Sequence, residues 1–193
     1  MITDRRSKKI ERVLRHKQPD LTVVIENIHD PHNVSAILRS CDAVGVKEVQ
    51  LVYTIESFPD IGKKSSASAK KWINRRKHRS IDDCYKFLRN EGFAIYATRI
   101  ADDTNNLYDL DLDQKIALVF GNENRGVSDE AAKKADGTFQ VPMFGMIQSL
   151  NVSVACAVTL FEALRQRHRC GHYDLPKLSE TELQKMMEEW TKK

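Results

Sequence analysis

An α/β domain built on a parallel sheet flanked by helices is the fold this chain predicts, and three observations predict it. Five short, β-branched apolar runs occur at 21–26 (LTVVIE), 48–53 (EVQLVY), 93–98 (FAIYAT), 116–120 (IALVF) and 138–141 (TFQV). Segments with apolar residues at helical spacing lie between and after them. The two kinds alternate, which calls for parallel strands joined by helical crossovers and a sheet covered on both faces. Ligands of such sheets bind beyond the carboxyl ends of the strands, so a site is expected in the loops after Thr98, Phe120 and Val141.

The helical segments justify themselves in order. At 33–44, Ala36, Ile37, Ser40, Cys41 and Val44 share one face, and Gly45 supplies a left-handed stop. At 80–90, Ser80 caps, Ile81, Cys84, Phe87 and Leu88 cluster, and Gly92 ends the helix. A shorter helix is expected at 128–135, ending at Gly137. The longest, 149–169, carries the stripe Leu150, Val154, Ala157, Phe161 and Leu164. The last, 179–192, opens on the capping box of Ser179 and Glu182 and offers Leu183, Met187 and Trp190 for docking.

At 193 residues the chain holds one domain with a real core, and its 41% apolar and 30% charged residues are ordinary for a globular protein. No apolar run reaches the roughly 18 residues of a membrane span, and the basic start has no signal-peptide core, so a cytoplasmic protein is expected. The cysteines Cys41, Cys84, Cys156 and Cys170 form no C-x-x-C pair and are expected to stay reduced. His29 and His32 lack a third convergent ligand, so no metal site is expected.

Charge is concentrated rather than large. The total is +4, yet the stretch 63–79 holds Lys63, Lys64, Lys70, Lys71, Arg75, Arg76, Lys77 and Arg79 with no acid. The first 17 residues add a second basic segment that includes Lys8, Lys9 and Arg12. Such a field suits a phosphate backbone better than solubility requires. The turn after the first strand has no G-x-G-x-x-G, and 121–128 has no G-K-[ST], so neither a standard dinucleotide fold nor a P-loop fits.

Three separated segments carry more. In PHNVSAILRSCDAVGV, Asn33, Ala36 and Arg39 form N-x-x-A-x-x-R; in LVFGNENRGVS, Gly121, Asn122, Glu123 and Gly126 form G-N-E-x-x-G; in VPMFGMIQSLNVSVACAV, Ser149, Leu150 and Asn151 form S-L-N. Together, and in this order, they resemble the SpoU class of RNA ribose methyltransferases in the SPOUT superfamily, and within it the TrmH-type tRNA guanosine 2′-O-methyltransferases. The resemblance runs nearly end to end. It implies a deep trefoil knot in the C-terminal part of the domain, S-adenosylmethionine as cofactor, tRNA as substrate at guanosine 18 of the D-loop, and a homodimer with the active site at its interface. It also implies a domain at 21–166 between short helical extensions, the basic 1–20 and the C-terminal 167–193.

The chemistry sets what the residues must do. A ribose 2′-hydroxyl is a poor nucleophile, so a site must align it with the transferable methyl and let its proton leave during attack. The sulfonium loses its charge on transfer, which suits a dry pocket of backbone carbonyls; the apolar 141–150 segment, with Gly145 allowing unusual backbone angles, is a candidate wall. By resemblance, Thr98, Gly121, Val141 and Leu150 contact the cofactor, and Arg39, Asn33, Glu123, Ser149 and Asn151 serve catalysis. Arg39 is either the acceptor of the hydroxyl proton, which would require a heavily depressed guanidinium, or a bidentate phosphate clamp. Asn33 and Ser149 double as candidate helix caps, and Asn151 falls in the first turn of the long helix. Lys8, Lys9, Arg12, Lys63, Lys64, Lys70, Lys71, Arg75 and Arg165 are the candidate RNA contacts. Ribosomal RNA or another tRNA position as substrate, and a non-catalytic RNA-binding scaffold of the same fold, remain the alternatives.

Overall fold

The computed structural model describes residues 3–60, 69–101 and 103–193. Seven strands form one all-parallel sheet: β1 (Leu21–Glu26), β2 (Glu48–Val52), β3 (Asn74–His78), β4 (Ala94–Thr98), β5 (Asn105–Asn106), β6 (Ile116–Phe120) and β7 (Gly137–Gln140). Their order across the sheet is β3-β2-β1-β6-β4-β7-β5. β6 sits at the centre with β1 beside it, and β1 is registered Val23 against Val49 of β2 and against Leu118 of β6.

Alternation of side chains sorts these strands into two cores. Leu21, Val23, Ile25, Ile116, Leu118 and Phe120 belong to the cluster that includes Ile37 and Cys41 of α2 (Pro31–Ala43) and Cys156 and Leu160 of α6 (Val152–Arg169). Val24, Ile95, Ala97, Ala117 and Val119 pack with Cys84, Tyr85 and Leu88 of α4 (Ile81–Asn90) and Ala131 of α5 (Asp129–Lys134). Every residue of β1 and β6 is buried, which is why β6 reads as an unbroken apolar run and β1 as one interrupted only by Thr22 and Glu26.

The terminal segments come together as one unit. α1 (Asp4–Arg15) and α7 (Glu180–Thr191) bury Ile10, Leu14, Leu183, Met186 and Trp190 against one another, with Trp72 of the short α3 (Ala69–Trp72) stacked on Trp190 at 4.7 Å between ring centroids. Two buried cations fasten this unit to the domain. Lys17, fully buried, donates to the Val46 carbonyl at 3.1 Å and to Asp42 at 3.3 Å, with its ammonium 5.3 Å from the Trp190 ring centroid. Burial pushes the Lys17 ammonium below its usual value, although Asp42 opposes the shift. Arg167 is also fully buried and directs its donors at the carbonyls of Leu112, Asp20 and Gln114 and the side chains of Gln18 and Asp20.

Several sequence expectations are corrected. α2 begins at Pro31, where the ring presets the helical φ, and its cap is Asp30, which accepts from the His32 N–H at 2.8 Å; Asn33 is therefore inside the first turn. The long helix begins at Val152 with Asn151 as cap, so Ser149 caps nothing. Gly137 opens β7 rather than stopping α5, which ends at Lys134, and Gly145 has no positive φ. Gly45 and Gly92 do take the left-handed conformation, at φ +85° and +81°. β3 was not anticipated at all. It lies within the basic stretch, pairs in parallel with β2 over its whole length, and its polar composition hides it because it is an exposed edge strand.

Candidate active site

The loops after β4, β6 and β7 enclose a cavity of about 500 Å³ at the carboxyl ends of those strands. Thr98, Gly121, Val141 and Leu150 all line it, as do Glu123 and Ser149. The Thr98 hydroxyl is turned back onto the Val119 carbonyl at 3.0 Å. A volume of this size falls in the range of small-molecule sites.

The G-N-E-x-x-G segment folds back on itself to make one wall. The Gly126 N–H donates to the Asn122 carbonyl at 2.8 Å, with Gly126 at φ +70°. A Cβ on Gly121 would stand 2.2 Å from the Gly126 carbonyl group and 2.3 Å from the Val127 nitrogen, so only glycine fits. Asn122 is more than a turn residue. Its Oδ1 accepts the N–H groups of Asn124 at 3.0 Å and Arg125 at 3.2 Å, while its Nδ2 donates to the Asn27 carbonyl at 2.8 Å. Asn27 in turn holds φ +50°, and its Oδ1 accepts from the backbone of Thr54, Ile55 and Glu56. Three strand-end loops are thus stitched by two asparagines.

Glu123 extends the stitching. Its carboxylate accepts the N–H groups of His29 at 3.1 Å and Asp30 at 3.0 Å and the Asn33 side-chain amide at 3.0 Å. Burial would raise its carboxyl, but the hydrogen bonds from Asn33 and the backbone N–H groups outweigh it and hold Glu123 below the usual range. Asn33 then accepts from the Asn151 amide at 3.0 Å, and the Asn151 Oδ1 caps α6 on the Ser153 N–H at 2.8 Å. Because an ionised carboxylate only accepts, the orientation of both amides in this relay is fixed.

The structure therefore brings Asn33, Glu123 and Asn151 into contact, with Ser149 exposed on the cavity lining. Arg39 stands apart. It is exposed on α2, six residues beyond Asn33 and about 9 Å further along the axis, does not line the cavity, and has no ion pair among the described residues. Arg125 and Arg99, which the sequence did not single out, do line the cavity; Arg125 pairs with Glu56 at 2.9 Å and Arg99 with Asp129 at 3.7 Å. The signal for Arg125 was its place inside the G-N-E-x-x-G spacing.

Of the candidate RNA contacts, Lys8, Lys9 and Arg12 are exposed on α1, Lys70 and Lys71 lie on α3, and Arg75 is exposed on β3. Arg165 is exposed but held by both Glu162 oxygens at 2.8 and 2.6 Å. Lys63 and Lys64 lie outside the described residues.

Comparison with known proteins is specific. The sequence model described as the SpoU rRNA Methylase family matches residues 20–161. The tRNA (guanosine(18)-2′-O)-methyltransferase of Thermus thermophilus is 47% identical over 191 residues, covering 99% of this chain and 98% of that protein. The crystal structure of the Aquifex aeolicus TrmH/SpoU tRNA modifying enzyme superposes with a TM-score of 0.92 at 38% identity, covering 98% of this chain and 96% of that one. The SpoU methyltransferase AviRb of Streptomyces viridochromogenes, solved in complex with AdoMet, has a TM-score of 0.69 at 26% identity, covering 80% of this chain and 61% of that one.

Proposed function

Because this chain belongs to the SpoU rRNA methylase family, we propose that it is an S-adenosylmethionine-dependent methyltransferase acting on the ribose 2′-hydroxyl of tRNA, at guanosine 18 of the D-loop. The observation that carries the choice of tRNA is the extent of the likeness. Relatives named for that activity match the chain through the terminal helices α1 and α7 as well as the sheet.

The residues fit the cofactor. Gly121 leaves room where a side chain would strike backbone, and Val141, Leu150 and Val152 make part of the lining aliphatic, while the carboxylates there, Glu123 and Asp129, are accompanied by Arg99 and Arg125. S-adenosylmethionine supplies a methyl group on a sulfonium whose charge disappears on transfer, which such a lining tolerates at both ends of the step. Thr98, Gly121, Val141 and Leu150 would hold it, chiefly through main chain. The remaining work belongs to the chain's polar groups. Glu123 and Asn33 fix the loop after β1 and the start of α2, Asn151 fixes the start of α6, and the Ser149 hydroxyl orients the ribose.

Arg39 takes the role of phosphate clamp. A guanidinium offers paired donors to a phosphodiester, and Arg39 is exposed with no ion pair among the described residues to compete. Since it does not line the cavity of its own protomer, a homodimer in which Arg39 of one copy faces the cavity of the other completes the site. Support for that dimer comes from exposed apolar side chains on the segment after β7 and on α6: Phe144 and Met146 are 100% and 99% exposed, and Ile147, Val154 and Phe161 also face solvent. The trefoil knot belongs to the same reading, supported by β6 and β7 flanking β4 while α6 packs back on α2. Residues 21–166 form the methyltransferase domain, and the flanking helices belong to substrate binding. A tRNA substrate goes with a cytoplasmic protein, and no helix among the described residues is long and apolar enough to cross a membrane.

The test is methyl transfer from labelled S-adenosylmethionine to unmodified tRNA transcripts, with nuclease digestion and mass spectrometry. Label as 2′-O-methylguanosine at position 18 is expected. Label only on ribosomal RNA would move the substrate and keep the chemistry, and no transfer to any RNA would overturn the enzyme.

A further inference from the structure

The edge strand β3 sorts its cations by face. Arg76 and His78 point to one side, where Arg76 pairs with Glu48 at 2.8 Å and lies 4.5 Å from the Phe87 ring centroid, and His78 bonds Gln50 at 2.8 Å. Arg75 and Lys77 alternate with them and belong to the other side. There they border a groove of about 900 Å³, joined by Lys70 and Lys71 from α3 and by Lys193 beyond α7. Asp60 is the one carboxylate on the groove among the described residues. Lys70, Lys71, Arg75 and Lys77 have no ion pair among the described residues. Lys193 is held in place, donating to the Lys71 carbonyl at 2.8 Å with its ammonium 5.6 Å from the Trp190 ring centroid.

Lysine and arginine on an edge strand also deter pairing with another sheet. That purpose is served by the strand's own cations. It gives no account of three further lysines brought to the same cleft from α3 and the α7 end. Five cations facing one carboxylate across a concave surface make a site for a polyanion.

We infer that this groove holds the phosphodiester backbone of the RNA substrate at a point distant from the nucleotide being methylated. The inference rests on the tRNA reading above. β3 is three strand spacings from β6, about 14 Å, so the groove lies beyond the nucleotide whose ribose enters the cavity. Contacts of this kind position an RNA without reading its bases. The groove therefore engages the folded tRNA outside its target loop and favours the full molecule over the isolated loop.

The experiment compares full tRNA with a short stem-loop carrying only the target loop. Binding to catalytically competent protein is measured across a salt series for the unaltered chain, for Arg75→Gln with Lys77→Gln, and for Lys70→Gln with Lys71→Gln. Each double variant is expected to weaken full tRNA on the order of tenfold and to reduce the log K against log salt slope by about 1.4 to 1.8. Stem-loop and S-adenosylmethionine affinities should stay as they were. The two pairs lie on different elements, so a folding defect in β3 cannot imitate the result from α3. If the unaltered protein methylates tRNA while both variants keep its affinity and slope, the groove is overturned and the substrate reading stands. Variants that bind as before but self-associate would leave the cations as edge protection and overturn it equally. If the unaltered protein methylates no tRNA, the substrate reading falls and the groove with it.

Discussion

Asn151 donates its side-chain amide to the Oδ1 of Asn33 at 3.0 Å, joining the start of α6 to the start of α2 across 118 residues of chain. Each residue has a second duty. Asn33 passes a hydrogen bond on to Glu123, and Asn151 caps α6 through the Ser153 N–H. Stability and site geometry therefore depend on the same two amides, and substitutions must be chosen to separate them.

Asn151→Asp and Asn151→Ala make that separation. Aspartate keeps the acceptor that caps α6 but offers no donor to Asn33; alanine loses both. Alanine is expected to cost about 1 kcal/mol more stability than aspartate, the worth of a cap. Both should depress the single-turnover methyl-transfer rate far more than S-adenosylmethionine affinity. Equal losses in rate and cofactor binding would contradict a role for the amide in aligning the ribose.

Acid should release the α7 contact in a defined window. Lys47 donates to Glu182 at 2.8 Å, and with the Ser179 N–H and hydroxyl it holds the carboxyl at about 2, against an ordinary 4.5. A carboxylate depressed on folding stabilises the fold above its unfolded value and loses that contribution as pH falls through its folded value. Trp190 fluorescence is therefore expected to change between 4.5 and about 2, and Glu182→Gln should flatten that limb. The pair is exposed, so 1 M salt should shrink the effect. Superimposable acid titrations of the two proteins would refute the link.

The strands of the core were legible because burial on both faces writes largely apolar runs at 21–26 and 116–120, and the resemblance carried by the three motifs named Asn33, Glu123 and Asn151 together, residues that the structure joins by hydrogen bonds. What escaped had physical reasons. β3 (NRRKH) is held by backbone pairing to β2 while its side chains face solvent, so periodicity had nothing apolar to report. The partnership of α1 with α7 joins opposite ends of the chain, and no local pattern encodes it. Asn27 takes φ +50° in a turn without glycine, a conformation asparagine tolerates but does not announce. Pro31 at the first helical position was the overlooked signal that α2 starts before Asn33.

Gly121 and Gly126 should respond differently to alanine. At Gly121 the new methyl meets backbone at 2.2 Å, and backbone cannot rotate away. Gly121→Ala is expected to lower stability by about 1–3 kcal/mol and to abolish S-adenosylmethionine binding by calorimetry. At Gly126 a methyl meets nothing within 4 Å, and the penalty is only that of φ +70°. Gly126→Ala should therefore bind the cofactor with reduced affinity; cofactor binding by Gly121→Ala at the unaltered affinity would show that the loop is looser than its contacts require.

Arg167 and Arg165 lie two residues apart on α6 and should differ sharply on substitution. Arg167 is fully buried, and its five N–H donors meet five acceptors from Gln18, Asp20, Leu112 and Gln114. Removing it strands those groups in the interior, and Arg167→Ala is expected to cost about 3–5 kcal/mol in denaturant unfolding. Arg167→Lys should recover little, because three donors on a point charge cannot span the same carbonyls. Arg165 is exposed and answers only to Glu162, whose buried carboxylate keeps the Gln166 amide, so Arg165→Ala should cost about 1 kcal/mol, well below the loss at Arg167. Substantial rescue by lysine would show that charge near Asp20, and not the fork of donors, fastens the end of α6 to the domain.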